Sequence, residues 1–371
     1  MDTFEWVALG AKSAFLLIVL LHIVPIMVWV ERRGSALMQN RLGPNRVGPL
    51  GLLQSLADVV KFLWKEDPVP GHVAGFYYVL APLVSLVPAF MTFAVIPFAS
   101  SILIDGRLVQ FQVADLNVGL LYILSIASLG VYGVIMAGWA SNNKYAMLGS
   151  LRSTSQMISY ELSMGLSLIG IIMVFSSVKL GDIALMQGQA ITHIGPLLLP
   201  EWLKIPKWGI FLQPLGFLIF LVAAFAETNR LPFDLPEGES ELVAGYHLEY
   251  GAMKFAMFMM AEYLNMTTAS GLMATLYFGG WQLIPGMGHL LHAVQNIFQM
   301  GDMAAQWTRV AFELASFGMK LSFFMWFFVW VRWTLPRFRY DQLMDLGWKV
   351  MLPLSLLNIL GTGVFIYYGW I

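Results

Sequence analysis

Residues 208–227 read WGIFLQPLGFLIFLVAAFAE and end on a glutamate. Residues 228–251 follow as TNRLPFDLPEGESELVAGYHLEYG, and 252–275 return to an apolar run, AMKFAMFMMAEYLNMTTASGLMAT, with Glu262 inside it. A bilayer core takes a helix of about 20 apolar residues. The two runs therefore read as membrane spans joined by an acid-rich connection. Carboxylates at or inside a membrane are costly to desolvate, and where they occur they usually mark a proton, ion or substrate path.

The rest of the chain fits that reading. Of its 371 residues 58% are hydrophobic and 12% charged, against about 25% charged in a soluble domain, and the mean hydropathy is +0.71. About eight spans are expected on the same template, near 6–30, 73–100, 115–139, 156–177, 208–227, 252–275, 304–331 and 346–369. The predicted fold class is all-α: a polytopic membrane protein forming a single domain over residues 1–371. Pro25, Pro82, Pro88 and Pro353 fall inside spans, where kinks are expected. Residues 50–65 are too polar to span. Leu53, Leu56, Val60, Leu63 and Trp64 share one helical face, opposite Gln54, Asp58, Lys61 and Lys65, which predicts an amphipathic helix at the interface.

Lysine and arginine placement orients the chain. The odd-numbered connections hold Arg32, Arg33, Arg41, Arg46, Lys61, Lys65, Lys144, Arg152, Arg230, Lys254, Arg332, Arg337, Arg339 and Lys349. The even ones hold only Arg107, Lys179, Lys204 and Lys207. The loops near 31–72, 140–155, 228–251 and 332–345 are thus expected to be cytoplasmic, with both termini on the other side.

There are no cysteines, which excludes thiolate-ligated clusters, disulfides and cysteine nucleophiles in this chain. The six histidines are scattered, and no His-Glu-x-x-His spacing occurs, so no metal site is expected. His289 and His292 fall in an expected loop and read as surface residues.

The candidate chemistry lies in the carboxylates. Glu161, Glu227 and Glu262 lie within or at the ends of spans. Burial favours the neutral form of a carboxylate and brings it toward the range where it loads and releases a proton near neutral pH. Structural ion pairs with Arg152, Arg230, Lys254 or Lys320 are the alternative. Arg152, Gln156 and Glu161 approximate one helical face. In the fifth connection Pro236 can open a helix whose dipole Glu237, Glu239 and Glu241 complement. That accounts for one or two acids and leaves Asp234, Glu249 and the flanking glutamates unexplained. Glu313 can pair with Arg309 or Lys320.

Several blocks carry a family resemblance. They are Glu31-Arg-Arg with Met38-Gln-Asn-Arg-Leu-Gly-Pro-Asn-Arg-Val-Gly-Pro, Gly51-Leu-Leu-Gln with Ala57-Asp-Val-Val-Lys, Trp139-Ala-Ser-Asn-Asn-Lys-Tyr, Gln156-Met-Ile-Ser-Tyr-Glu, Glu227–Tyr250, and Trp330-Val-Arg-Trp-Thr-Leu-Pro-Arg-Phe-Arg-Tyr. Together they resemble the H-subunit family of bacterial NADH–quinone oxidoreductase (respiratory complex I), counterpart of the mitochondrial ND-one protein, over nearly the whole chain. The resemblance implies a proton-translocating oxidoreductase of a bacterial inner membrane, favoured over the mitochondrial one. Quinone would be its substrate, and FMN, NADH and iron–sulfur clusters would sit in partner subunits.

By the same resemblance, Glu31, Arg32, Arg46 and Asp58 lie at or near the quinone tunnel. Arg230, Asp234, Glu237, Glu239 and Glu241 belong to the loop that lines it. Glu161, Glu227, Glu249 and Glu262 belong to the acidic chain that couples quinone chemistry to charge movement. The implied partners are the peripheral-arm quinone-site and terminal-cluster subunits and the small membrane subunits adjoining the antiporter-like ones. Ser55 stands where many relatives have proline, and the connections near 178–207 and 276–303 look long. Two rivals remain: the equivalent component of a membrane-bound hydrogenase or formate hydrogenlyase, which neighbouring genes would reveal, and a stand-alone ion-coupled transporter. A transporter would purify without a peripheral arm.

Overall fold

A computed structural model describes residues 3–104, 106–191, 193–194, 197–198, 205–235, 243–298 and 301–369. The chain is a bundle of long helices. In order they are α1 (Thr3–Met38), the short α2 (Gln54–Trp64), α3 (Gly75–Phe93), α4 (Gly119–Ala140), α5 (Lys144–Phe175), α6 (Leu180–Met186), α7 (Gly209–Leu212), α8 (Pro214–Glu227), α9 (Ala252–Tyr277), α10 (Met287–Ile297), α11 (Asp302–Thr334), α12 (Tyr340–Asp345) and α13 (Leu352–Tyr367). A small antiparallel hairpin, β1 (Ala99–Ile104) with β2 (Arg107–Phe111), joins α3 to α4.

Among the described residues six helices are long and apolar enough to cross a bilayer: α1, α3, α4, α5, α11 and the continuous stretch Tyr340–Tyr367. The other two expected spans differ for physical reasons. The fifth is divided, because Gln213 leaves helical geometry and Pro214 opens a new helix of 14 residues, about 21 Å long. The sixth, α9, has 26 residues but carries Lys254, Glu262, Asn265 and a run of threonines. Buried along most of its length, it packs against protein on several sides and needs no lipid-facing apolarity.

Helices also outrun the apolar segments. α1 continues to Met38 and α5 begins at Lys144, so Glu31, Arg32 and Arg152 are helical residues in what read as loops. Residues 276–303 contain α10, which places His289 and His292 on a helix, exposed. Pro25, Pro82 and Pro88 are absorbed inside continuous helices. Pro353 sits where a π-helical turn, Leu346–Met351, passes into α13. The wider turn accommodates a residue that has no N–H to give. α2 is amphipathic as expected, and its apolar face stands clear of the bundle, with Leu53 44% and Trp64 85% exposed.

Small residues let the central helices approach closely. A Cβ on Gly133 of α4 would lie 2.1 Å from Ser85 Oγ of α3, and one on Gly138 would lie 2.2 Å from Ser150 Oγ of α5. Connections segregate by parity. At one end Ala74 N bonds Ala140 O at 2.9 Å, Tyr160 Oη donates to Leu343 O at 2.8 Å, and Phe338 N reaches Pro232 O at 3.2 Å. At the other, Leu120 N bonds Val178 O at 3.2 Å, Lys179 pairs with Asp115 at 2.7 Å, and Gln187 Oε1 accepts from Gly209 N and Gly279 N. The basic odd connections therefore share one end, hereafter the basic end.

Candidate functional site

At the basic end four segments converge on one carboxylate. Glu31 lies in the last turns of α1 and is 8% exposed. Tyr263 Oη of α9 donates to its Oε2 at 2.6 Å, and Arg230, in the turn after α8, stands 3.4 Å from the same oxygen. Arg332, in the last turn of α11, pairs with Oε1. The Arg230 guanidinium lies 4.3 Å from the Tyr263 ring centroid and 4.0 Å from Glu262. Two carboxylates and two guanidiniums thus balance in a buried setting, where an unpaired charge would be prohibitive. These groups line a cavity of about 370 Å³, together with Arg32, Ser35, Arg41 and the apolar Val28, Met259 and Trp333. Arg230 Nε and Nη2 are buried without a hydrogen-bond acceptor among the described residues; Nη2 faces Glu262 at ion-pair distance, which leaves Nε as the donor with no partner.

Asp58 joins this region from α2. It accepts from Arg32 at 2.5 Å, from Gln54 at 3.1 Å and from Lys61 at 3.5 Å. Partial burial pushes its pKa up, but these bonds and the charge of Arg32 outweigh that and hold it below the ordinary carboxylate value. The clasp ties the amphipathic helix to α1. Arg46 stands exposed on the intervening loop. Asp234 pairs with Arg337 of the last connection at 2.9 Å. Glu237, Glu239 and Glu241 lie outside the described residues.

The remaining acids form separate groups. Glu262, beside Arg230, also accepts from Tyr246 Oη at 3.2 Å. Ser128 of α4 donates to Glu161. Glu161 and Glu227 are electrostatic neighbours, and Glu227 lines a small cavity of about 30 Å³ with Thr92, Asn265 and Thr268. Glu249 stands apart, with Asn143 Nδ2 at 2.8 Å and His72 Nε2 at 3.6 Å.

Arg152, Gln156 and Glu161 do not share a face. The five-residue step from 156 to 161 turns the side chain by roughly 140°. Gln156 Nε2 instead bonds Ala226 O and Phe233 O, each at 2.8 Å, and clamps the turn that carries Arg230. Arg152 lies 5.5 Å from the Tyr340 ring. Glu313 does pair with Arg309, at 2.8 Å, and accepts from Ser100 N. Lys320 donates to the carbonyls of Gly280 and Gln282. Reading the sequence missed Tyr263, Tyr246 and Ser128 and used Arg332 only to orient the chain. The one local signal was the tyrosine next to an intramembrane glutamate. Among the described residues no cluster of three or more histidines and carboxylates is arranged to hold a metal.

Fold and site define a polytopic α-helical membrane protein with a charged cavity at its basic end. A family model described as NADH dehydrogenase matches residues 11–363. The chain belongs to that family. It is 47% identical to the NADH-quinone oxidoreductase H-subunit of Bdellovibrio bacteriovorus over 380 aligned positions, covering 99% of this chain and 98% of the relative. It is 48% identical to the second-numbered H-subunit of Geobacter sulfurreducens, with 95% of each chain covered. It is also 48% identical to the H-subunit of Thermomicrobium roseum, covering 95% of this chain and 94% of that one. The family read from the first-loop and fifth-connection blocks is therefore the right one, and the relatives are subunits of an oxidoreductase complex.

Proposed function

We propose that this chain forms the membrane-facing part of the quinone tunnel of a proton-translocating NADH:quinone oxidoreductase and couples quinone reduction to charge movement through its buried carboxylates. The observation that carries the reading is the Glu31–Arg230–Arg332–Tyr263 cluster on a cavity, with Glu262 alongside Arg230. Quinone takes two electrons and two protons to become quinol. The electrons come from a partner subunit, and this chain contributes position and charge. A quinone oxygen that gains negative charge attracts Arg230 and competes with Glu31 and Glu262 for its guanidinium. A carboxylate that loses part of its counter-charge holds a proton more readily. Glu262 and Tyr246 carry that change toward the fifth connection, while Glu161 and Glu227 hold a second acidic site deeper between α4, α5 and α8.

Arg32, Asp58 and Arg46 frame the mouth, and Asp234 with Arg337 anchors the start of the fifth connection, whose acids Glu237, Glu239 and Glu241 are assigned to the tunnel by the family resemblance alone. Glu249 with His72 and Asn143 is a further station of the acidic chain. The peripheral-arm subunits dock on the basic end, and the small membrane subunits receive the charge displacement. The test is Glu227→Gln in membranes, with assembly checked on a native gel. NADH-driven quinone reduction and proton pumping are expected to fall together in the assembled complex. Wild-type levels of both would remove Glu227 from the coupling path.

A further inference from the structure

A second, apolar cavity lies apart from the charged one. It is an outward-facing groove of about 410 Å³ between α1 and α11, lined by Phe15, Val19 and Met27 on one side and Phe317, Leu321 and Trp326 on the other. The charged cavity uses the far side of α1: Val28, which lines it, is two residues, or roughly 200°, from Ile26 and Val30, which line the groove. We propose that this groove binds one acyl chain of a phospholipid from the leaflet at the basic end, with the phosphate at Arg33.

The groove has the length of a lipid tail. The lining runs from Phe15 to Val30, a rise of about 23 Å along α1, within the roughly 30 Å of a bilayer's hydrocarbon core. On the α11 side, a Cβ at Gly318 would meet nothing within 4 Å, so the gap is open where the chain would lie.

Charge selects the headgroup and the leaflet. Arg33 follows Val30 by one turn at the groove's basic end. Its Nη2 donates to Leu50 O at 2.9 Å, its guanidinium lies 5.8 Å from the Trp29 ring, and its Nε is buried without an acceptor. Trp29 and the exposed Trp330 flank this point, as tryptophans do at headgroup depth. Arg33 thus supplies positive charge at headgroup depth, which favours an anionic lipid. This proposal does not depend on the quinone reading, and either can fail alone.

The test uses the purified complex in mixed phosphatidylglycerol and phosphatidylcholine vesicles, one lipid at a time carrying a diazirine on its acyl chain. Crosslinked peptides are then mapped. Phosphatidylglycerol is expected to label residues 19–27 and 317–322. Gly318→Phe and Ser322→Phe, which fill the groove, are expected to abolish that label, while Gly318→Ala retains it and serves as the folding control on a native gel. Arg33→Gln is expected to lower phosphatidylglycerol labelling about fivefold, the worth of one cation near an anionic surface, and to lower phosphatidylcholine labelling less, because its choline offsets the phosphate charge. Unchanged labelling in both filled variants overturns the proposal. So does stronger labelling by a photoreactive prenylquinone, or crosslinking of these peptides to another protein instead of lipid.

Discussion

Glu31 is held by Tyr263, Arg230 and Arg332, residues 199 to 301 positions away in the chain. Removing the carboxylate leaves the buried Arg230 with Glu262 alone at 4.0 Å and the partly exposed Arg332 unpaired from Glu31, which costs up to about 3–5 kcal/mol, the range for losing one partner of a buried pair. Glu31→Ala is therefore expected to lower the thermal midpoint of the complex sharply, or to prevent its assembly. Glu31→Gln keeps an acceptor for Tyr263 and is expected to assemble with weakened quinone reduction. Equal stability of Glu31→Ala and wild type would mean that the cluster is not buried in the assembled protein. Asp58 offers a test by pH. Its pKa in the folded protein lies below the ordinary 3.8, so its clasp with Arg32 contributes fully above that value. The contribution is lost as pH falls through the depressed folded value. Asp58→Asn is thus expected to be less stable than wild type by a constant margin across neutral pH, with the two converging in acid. A margin that grows toward acid would contradict this sign.

At the level of elements, hydropathy located the membrane crossings well and the helix ends poorly. Apolarity reports where lipid begins, while a helix continues as long as its own hydrogen bonds are satisfied, as α1 does to Met38 and α5 does from Lys144. The amphipathic α2 was legible because one face alternates at helical period. The β1–β2 hairpin was not, because strands of six and five residues beside a long apolar run leave little periodic signal. The division at Gln213 and Pro214 was visible only as a proline. In the site, the acids could be read from sequence because a carboxylate inside an apolar run is conspicuous. Their partners could not, since Tyr263 and Arg332 are selected by tertiary approach and not by spacing. The false grouping of Arg152 with Glu161 came from treating a five-residue step as one face. Gln156, which seemed part of a charged stripe, instead fixes the turn that presents Arg230.

For the molecule as a whole, the parity of the connections is the governing feature. Arginines and lysines gather at one end and the hairpin, α6 and α10 at the other. If the basic end faces the cytoplasm, as cationic loops do, both termini lie across the membrane from it. Alkaline phosphatase fused after Ile371 is then expected to be active and a fluorescent protein fused there to stay dark; the opposite pattern would invert the topology. The Glu31 cluster has one more consequence, for the birth of the protein. Its first member is made early and Arg332 comes 301 residues later, a delay of about 15–60 s at 5–20 residues per second. Throughout that interval the nascent chain holds an acid near the bilayer with its last counter-ion still untranslated. The cluster is therefore complete only when the seventh connection emerges, so it is among the last parts of the molecule to form during synthesis.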